Sequence, residues 1–133
     1  MKWKLNISDL NATSFNYDVA ISKKYKIINK SIFELKEKLD FDIVLDLNIF
    51  HHFLIEKELY QNLIVFLGRL KLNTIYFQPH DPSKKIMRNA YVNYDNEQFV
   101  RFIIKHSCLN KFELAVIIFS SPLRCFSRIF KSR

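Results

Sequence analysis

The stretch from Phe41 to Phe53, FDIVLDLNIFHHF, constrains the fold of this chain more than any other part of its sequence. It opens with a short apolar run that has the β-branched bias of a strand buried on both faces. The run ends at Leu45, and the polar residues Asp46 and Asn48 then lead into a pair of histidines. Ligands of α/β sheets bind at the carboxyl edge of the parallel strands, so these residues predict a site at that edge.

Strand and helix patterns alternate along the rest of the chain. Apolar residues at three- and four-residue spacing predict helices over 54–70 and 97–107. The alternation of short strands and helices predicts an α/β fold with a mainly parallel sheet and right-handed crossovers. Strands are predicted at residues 2–7, 25–29, 41–45, 73–77 and 112–120, and a final antiparallel edge strand fits 121–133.

Three of these segments resemble strands of class I S-adenosylmethionine-dependent methyltransferases. FDIVLDLNIFHHF resembles the fourth strand and the loop after it, where an F-D-x-V-L-x-x-x-x-x-H-H pattern recurs. YKIINKSIFEL, residues 25–35, resembles the third strand and its turn, and TIYFQPH, residues 74–80, resembles the fifth. The resemblance covers roughly residues 3–119. It implies a Rossmann-like methyltransferase sheet, mostly parallel with a C-terminal antiparallel edge.

The chain contains a single glycine, Gly68, which lies near the end of a helical pattern. Methyltransferases of this class have a glycine-rich turn after their first strand, because only a backbone without Cβ can approach the cofactor so closely. The resemblance therefore implies that residues 1–133 form a single truncated domain without the first βα unit. An open sheet of this kind is expected to form a homodimer or to bind a companion chain.

The resemblance also implies residues that would bind S-adenosylmethionine. Asp9 lies where the family has an acidic residue that binds the ribose hydroxyls, although its carboxylate would equally cap the helix predicted after it. Ser31 lies where the family often has an acidic residue beside the adenine, and a hydroxyl contributes less there than a carboxylate. Leu47 and Asn48, just after the central strand, complete this set of cofactor-binding candidates.

His51 and His52 are the candidate catalytic residues. A neutral imidazole can accept a proton from the hydroxyl or amine of a substrate as it attacks a methyl group. Adjacent residues that enter a helix point about 100° apart, so at most one of the pair should face a pocket. The alternative is that both histidines are structural.

Gln78 and His80, at the end of the next predicted strand, are candidate substrate-binding residues that would share the rim with His51. For His80 the alternative is an exposed loop histidine without a role. No metal site is expected, because the four histidines and two cysteines show no ligand spacing.

The function expected from the resemblance is methyl transfer to a small molecule or glycan precursor, impaired or absent in this chain alone. The net charge of +8 suggests an alternative, a non-enzymatic module that binds nucleic acid or an acidic partner through the cations interleaved with Phe126 and Phe130. The lysines are scattered, however, and a general compositional bias explains them equally well, so nucleic acid is not the expected partner.

The location expected by default is cytoplasmic. The N-terminal residues show no signal-peptide core, and no apolar run approaches the roughly 20 residues that a membrane-spanning helix needs.

Overall fold

The structure, a computed structural model, describes residues 4–6, 26–28, 30–36, 39–117 and 124–132. The chain divides into two compact units, Met1–Glu37 and Lys38–Arg133. In the first unit, strands β1 (Lys4–Asn6) and β2 (Lys26–Ile28) pair in parallel, and a one-turn 3-10 helix follows at Ile32–Glu34. Both strands lie within the segments predicted to be extended.

The described residues of the second unit form four strands and two α-helices, in an order that confirms the predicted alternation. Two further 3-10 helices, at Phe50–Leu54 and Lys85–Met87, follow β3 and β4 respectively. The larger elements are β3 (Asp40–Leu47), α1 (Lys57–Arg69), β4 (Lys71–Gln78), α2 (Asn96–His106), β5 (Lys111–Ile117) and β6 (Arg124–Phe130).

These four strands form one sheet in the order β3-β4-β6-β5. β3 and β4 are parallel, whereas β6 is antiparallel to both β4 and β5, so three strands run in one direction and β6 in the other. The prediction that the C-terminal strand forms the edge was wrong, because β5 is the edge and β6 is an interior strand. The burial of the side chains explains this: Phe126, Ser127 and Ile129 of β6 are buried, whereas Lys111 to Leu114 of β5 are exposed.

One face of the sheet is covered by the two helices. Phe77 of β4 contacts Phe99 of α2 edge-on, with ring centroids 4.9 Å apart, and the neighbouring Ile75 is fully buried. The predicted helical spacing accounts for most of this core, since six of the apolar residues at that spacing are buried, whereas Leu59, Tyr60 and Ile104 are half-buried. The six buried residues are Leu63, Phe66 and Leu67 in α1, and Phe99, Val100 and Ile103 in α2.

The first α-helix begins later than the sequence predicts. The prediction started it at Leu54, but a 3-10 helix ends at that residue and α1 begins at Lys57. A loop from later in the chain explains the break, because Tyr91 and Val92 donate their backbone N–H groups to the carbonyls of Ile55 and Leu54, at 2.9 and 3.1 Å. These carbonyls are therefore bonded to the loop.

Strand β3 also differs from its prediction. It runs from Asp40 to Leu47, and it is not buried on both faces. The covered face bears Asp46, in register with the buried Phe77, whereas Leu45 on the other face is 56% exposed. None of the helices in the described residues is long and apolar enough to cross a membrane.

Candidate functional site

A sharp turn follows β3 and begins the candidate site. The Asp46 Oδ1 atom accepts hydrogen bonds from the backbone N–H groups of Ile49, at 3.0 Å, and Phe50, at 3.2 Å. Asn48 has a φ of 66°, in the left-handed region that asparagine tolerates better than most residues. The carboxylate and this backbone conformation together direct the chain from the strand into the 3-10 helix.

Phe50 fixes this short helix against α1. Its side chain is buried, and its ring centroid lies 6.3 Å from that of Phe66 in an edge-on contact and 6.4 Å from that of Phe53. Leu54 at the end of the helix is fully buried. Since both ends of the helix are anchored, the positions of His51 and His52 between them are set by the core.

His51, His52 and His80 form a histidine cluster where β3 and β4 end. The ring of His51 stacks on that of His80, with centroids 5.1 Å apart and planes 12° apart, and its centroid lies 4.1 Å from that of His52. His51 and His80 are each 6% exposed, whereas His52 is half-buried. The structure thus places His51 and His80 at one rim, and His52 is the most accessible of the three.

Burial keeps two of these histidines neutral. It is the main cause that lowers the pKa of His51 to about 4, and electrostatic interactions with His52, His80 and Lys84 contribute to the same shift. Burial also lowers the pKa of His80, although its hydrogen bond with the Asn93 side chain, at 3.4 Å, opposes this change. At neutral pH each of the two rings therefore retains one nitrogen lone pair.

Asp46 is the main site residue that the sequence reasoning missed as a functional group. Burial raises the pKa of its carboxyl group to about 7, against the opposing effect of the hydrogen bonds from Ile49 and Phe50. An acid two residues after Val44, within an apolar strand, was the available signal. It predicts that Asp46 shares the covered face of the strand with Val44.

Four buried polar atoms in this region have no hydrogen-bond partner among the described residues. They are Asp46 Oδ2, Asn48 Oδ1, His51 Nδ1 and His80 Nδ1. Buried polar groups in proteins are nearly always hydrogen-bonded, so such a group of exceptions at one end of two parallel strands is characteristic of a functional site.

The remaining predicted residues lie in different places. Gln78 is half-buried at the end of β4, in register with Leu47, whose side chain is exposed. Ser31 belongs to the first compact unit, where its hydroxyl accepts the Phe33 N–H at 3.4 Å and completes a capping box with Glu34. Asp9 lies outside the described residues. Of the predicted set, the structure brings together His51, His52 and His80, which follow the same sheet edge as Leu47, Asn48 and Gln78.

The loop after β4 supplies two more residues that the sequence analysis did not name. Asn93 bonds His80 and also donates to the Pro82 carbonyl at 3.0 Å, which ties the end of the loop to its start. Lys84 is exposed, and its charge acts on His51 and His80. Within the part of the chain that the structure describes, no group of three or more His, Cys, Asp or Glu residues is arranged to hold a metal ion.

Comparison with solved structures shows methyltransferases with this fold. The chain is similar to the 1,6-didemethyltoxoflavin N1-methyltransferase of Burkholderia thailandensis, solved with 1,6-didemethyltoxoflavin and S-adenosylhomocysteine, with a TM-score of 0.62 and 13% identity. It is also similar to a candidate O-methyltransferase of Nostoc punctiforme PCC 73102, with a TM-score of 0.56 and 13% identity.

Both similarities cover most of this chain, but they leave a large part of each of the two methyltransferases uncovered. The first covers 96% of this chain and 61% of the Burkholderia protein, and the second covers 86% of this chain and 39% of the Nostoc protein. No family model matches the sequence, and no curated protein matches it either. The comparisons confirm the predicted methyltransferase-like fold, and at this level of identity they show the fold alone.

Proposed function

We propose that residues 1–133 form a truncated domain of the S-adenosylmethionine-dependent methyltransferase class, which acts on a small molecule or glycan precursor and is impaired or inactive as this chain alone. The observation that carries the proposal is the coincidence of the histidine cluster with four unpartnered buried polar atoms. They lie at the carboxyl ends of parallel strands, in a fold shared with methyltransferases. The missing first βα unit is part of the proposal.

Within this proposal, His52 is the residue that takes the proton of the acceptor group. It is half-buried, whereas His51 is buried between the rings of His52 and His80. A hydroxyl or amine that attacks a methyl carbon must lose its proton, and a ring nitrogen at the rim can receive it. His51, stacked on His80, would hold His52 in place. Gln78, at the end of β4, would orient the acceptor.

The residues present fit S-adenosylmethionine only in part. Asn48 Oδ1 is an unpartnered acceptor suited to a hydroxyl or amine, and the exposed side chain of Leu47 could pack on a flat base. The glycine-rich turn, however, has no counterpart, because Gly68, the only glycine of the sequence, lies within α1. The cradle for the cofactor in this chain is therefore incomplete.

The proposal is tested by titrating the isotope-labelled chain with S-adenosylhomocysteine and following backbone amide shifts by NMR. We expect shifts confined to the end of β3 and the histidine cluster, with half-saturation at about 1 mM or above, which corresponds to roughly −4 kcal/mol or weaker. Asn48→Ala should remove most of the response because it removes the unpartnered acceptor. Val65→Ala, on the exposed side of α1, is the matched control and should leave the response unchanged.

Two results would contradict separate parts of the proposal. Micromolar binding by calorimetry would show that the cofactor site is not impaired. Shifts that fall elsewhere on the second unit would show that the rim at β3 and β4 is not the cofactor site.

A further inference from the structure

An apolar stripe runs along the face of β3 that the helices do not cover. Its members alternate along the strand, and Ile43 is 40%, Leu45 is 56% and Leu47 is 50% exposed. Large apolar side chains at every second position are typical of a strand face that is buried. On β3 the covered face bears Asp46 instead, so the usual distribution is reversed.

The same strand ends the four-stranded sheet. β3 pairs with β4 along one edge, and none of the described strands pairs with the other edge. Between Ile43 and Leu47 the outer edge has no partner among the described strands, and an edge with exposed apolar side chains is a template for pairing with another chain. The stripe and the edge meet on residues Ile43 to Leu47, so an added strand would bond the edge backbone and place its own side chains beside those of the stripe.

We propose that this strand is β3 of a second copy of the chain, and that two copies pair antiparallel about a two-fold axis at Leu45. In this register Leu45 faces Leu45 of the partner subunit, and Ile43 faces Leu47 of the partner subunit. All three members of the stripe then lie opposite members of the partner's stripe. The interface is self-complementary, as a two-fold contact requires, and directly opposed apolar side chains are the unit that stabilises such a pair.

The aspartates of β3 select this register over its neighbours. Asp40, Asp42 and Asp46 all lie on the face opposite the stripe. Centring the axis on any other residue from Asp40 to Asp46 sets two aspartates of the two copies directly opposite each other, which is destabilising. Centring it on Leu45 places Asp46 opposite Val44 of the partner subunit and leaves Asp42 beyond the end of the partner's strand, which stops at residue 47. The charge pattern and the apolar stripe therefore favour the same alignment, and this agreement is the argument for a second copy.

Sedimentation or light scattering as a function of protein concentration tests the association. We expect a species of twice the 16.0 kDa chain mass, half-formed in the micromolar range, on the order of −7 to −8 kcal/mol. The net charge of +8 repels the two copies, so added salt should strengthen the dimer. Leu45→Lys, which would place two lysines in contact on the axis, should shift half-formation at least tenfold to higher concentration.

Val65→Lys is the matched control for this variant. Val65 is a large apolar residue, 61% exposed, but it lies on α1, away from the sheet edge. This substitution should leave the association unchanged. Because both changes fall on exposed positions, circular dichroism should show both variants folded.

Disulfide trapping tests the register. In a chain whose free Cys108 and Cys125 are replaced by serine, Leu45→Cys should cross-link on mild oxidation, because directly opposed Cβ atoms lie about 4.5–5.5 Å apart. Ile43→Cys and Leu47→Cys are matched controls that should not, because the two-fold axis separates each from its own copy by four residues, about 13 Å.

Each of the other outcomes would overturn the proposal. A monomer at all concentrations would mean that a segment of the same chain, or a different partner, covers the stripe. A dimer that survives Leu45→Lys would use another surface, and cross-linking at position 43 or 47 in place of 45 would exclude this register. None of these measurements involves a cofactor, so failure of the dimer and failure of the function proposed above are distinguishable, although both proposals use Leu47.

Discussion

The two faces of the four-stranded sheet differ in what covers them. On the helix side, Ile75 and Phe77 of β4 are buried and Phe99 of α2 packs edge-on against Phe77. On the other side of the same sheet, Leu45 is more than half exposed. The helices pack on one face of the sheet, whereas Leu45 on the other face is exposed, so the two faces differ in what is packed on them.

The alternation of side chains along β3 explains why the candidate site and the apolar stripe occur on the same strand. β3 directs Asp46 towards the helices, where its carboxylate holds the turn that carries the histidine cluster. Residues of a strand alternate between the two faces. The strand that places a polar residue on the covered face therefore places its apolar neighbours, Leu45 and Leu47, on the open one. If this is correct, substitutions on the two faces should differ strongly in their effect.

The largest effect is expected for Phe99→Ala. The Phe99 side chain is fully buried, and its ring contacts those of Phe77, His80, Tyr94 and Phe102. Removing it leaves a cavity between α2 and the sheet, so we expect the free energy of unfolding to fall by about 3–5 kcal/mol. Urea unfolding followed by circular dichroism measures this loss.

Leu45→Ala is the counterpart on the open face. An exposed side chain loses little packing, and we expect a change within about 0.5 kcal/mol, measured at a protein concentration low enough to keep the chain monomeric. If Leu45→Ala cost as much as Phe99→Ala under these conditions, the stripe would be covered within the chain itself, and the contrast between the faces would disappear.

The second prediction concerns Asp46→Asn, which keeps an oxygen to accept the N–H groups of Ile49 and Phe50 but cannot ionise. Burial raises the pKa of Asp46 from 3.8 to about 7, so between these pH values the folded chain holds a proton that the unfolded chain has lost. Asp46 therefore lowers the stability of the natural chain as pH rises through this range. We expect the free energy of unfolding of the variant to rise, relative to that of the natural chain, by on the order of 2–4 kcal/mol as pH increases from about 4 to about 8.

Measuring the difference between the two proteins is necessary because His51 acts in the opposite direction. Burial lowers its pKa from 6.5 to about 4, so its contribution to stability is present above pH 6.5 and is lost as pH falls towards 4. The two effects partly cancel in the natural chain. Asp42→Asn, which changes an exposed carboxylate of the same strand, is the control. Equal pH dependence in both variants would show that Asp46 is not buried as an acid.

The sequence predicted the elements that depend on local spacing. Apolar residues at helical intervals located α1 and α2, and the shared direction of two parallel strands placed His51 and His80 at one end of the sheet, where their rings stack. These predictions succeeded because helix period and strand direction are encoded within a few residues. The start of α1 was misplaced, since the Leu54 and Ile55 carbonyls bond to residues 91 and 92.

What the sequence could not predict depends on tertiary contacts. The interior position of β6 follows from its pairing with both β4 and β5, which no local pattern records. The pKa of Asp46 depends on how completely other elements bury it, and the hydrogen bond between His80 and Asn93 joins residues across a loop without regular period. The same limit explains why β3 was wrongly predicted to be buried on both faces. An apolar run favours a buried strand, but it does not show which of its faces other elements cover.

The smallest effect is expected for the ion pair between Arg128 and Glu113 on the open face. Arg128 Nη1 donates to Glu113 Oε1 at 2.9 Å, and the two side chains are 40% and 52% exposed. Exposed pairs contribute little because water screens them, so a double-mutant cycle with Arg128→Gln and Glu113→Gln should give a coupling of about 0.5 kcal/mol or less.

The helical pair Arg101 and Glu97, at 2.7 Å and more exposed, is the matched reference and should give a similar or smaller value. Because Arg128 is in register with Tyr76, which is itself in register with Leu45, the Arg128 pair lies on the same face as the apolar stripe. The coupling energy of this pair therefore indicates whether that face is covered. A value above about 2 kcal/mol for this pair alone would indicate that it is shielded from water, and hence that the face is covered, since strong coupling requires desolvation.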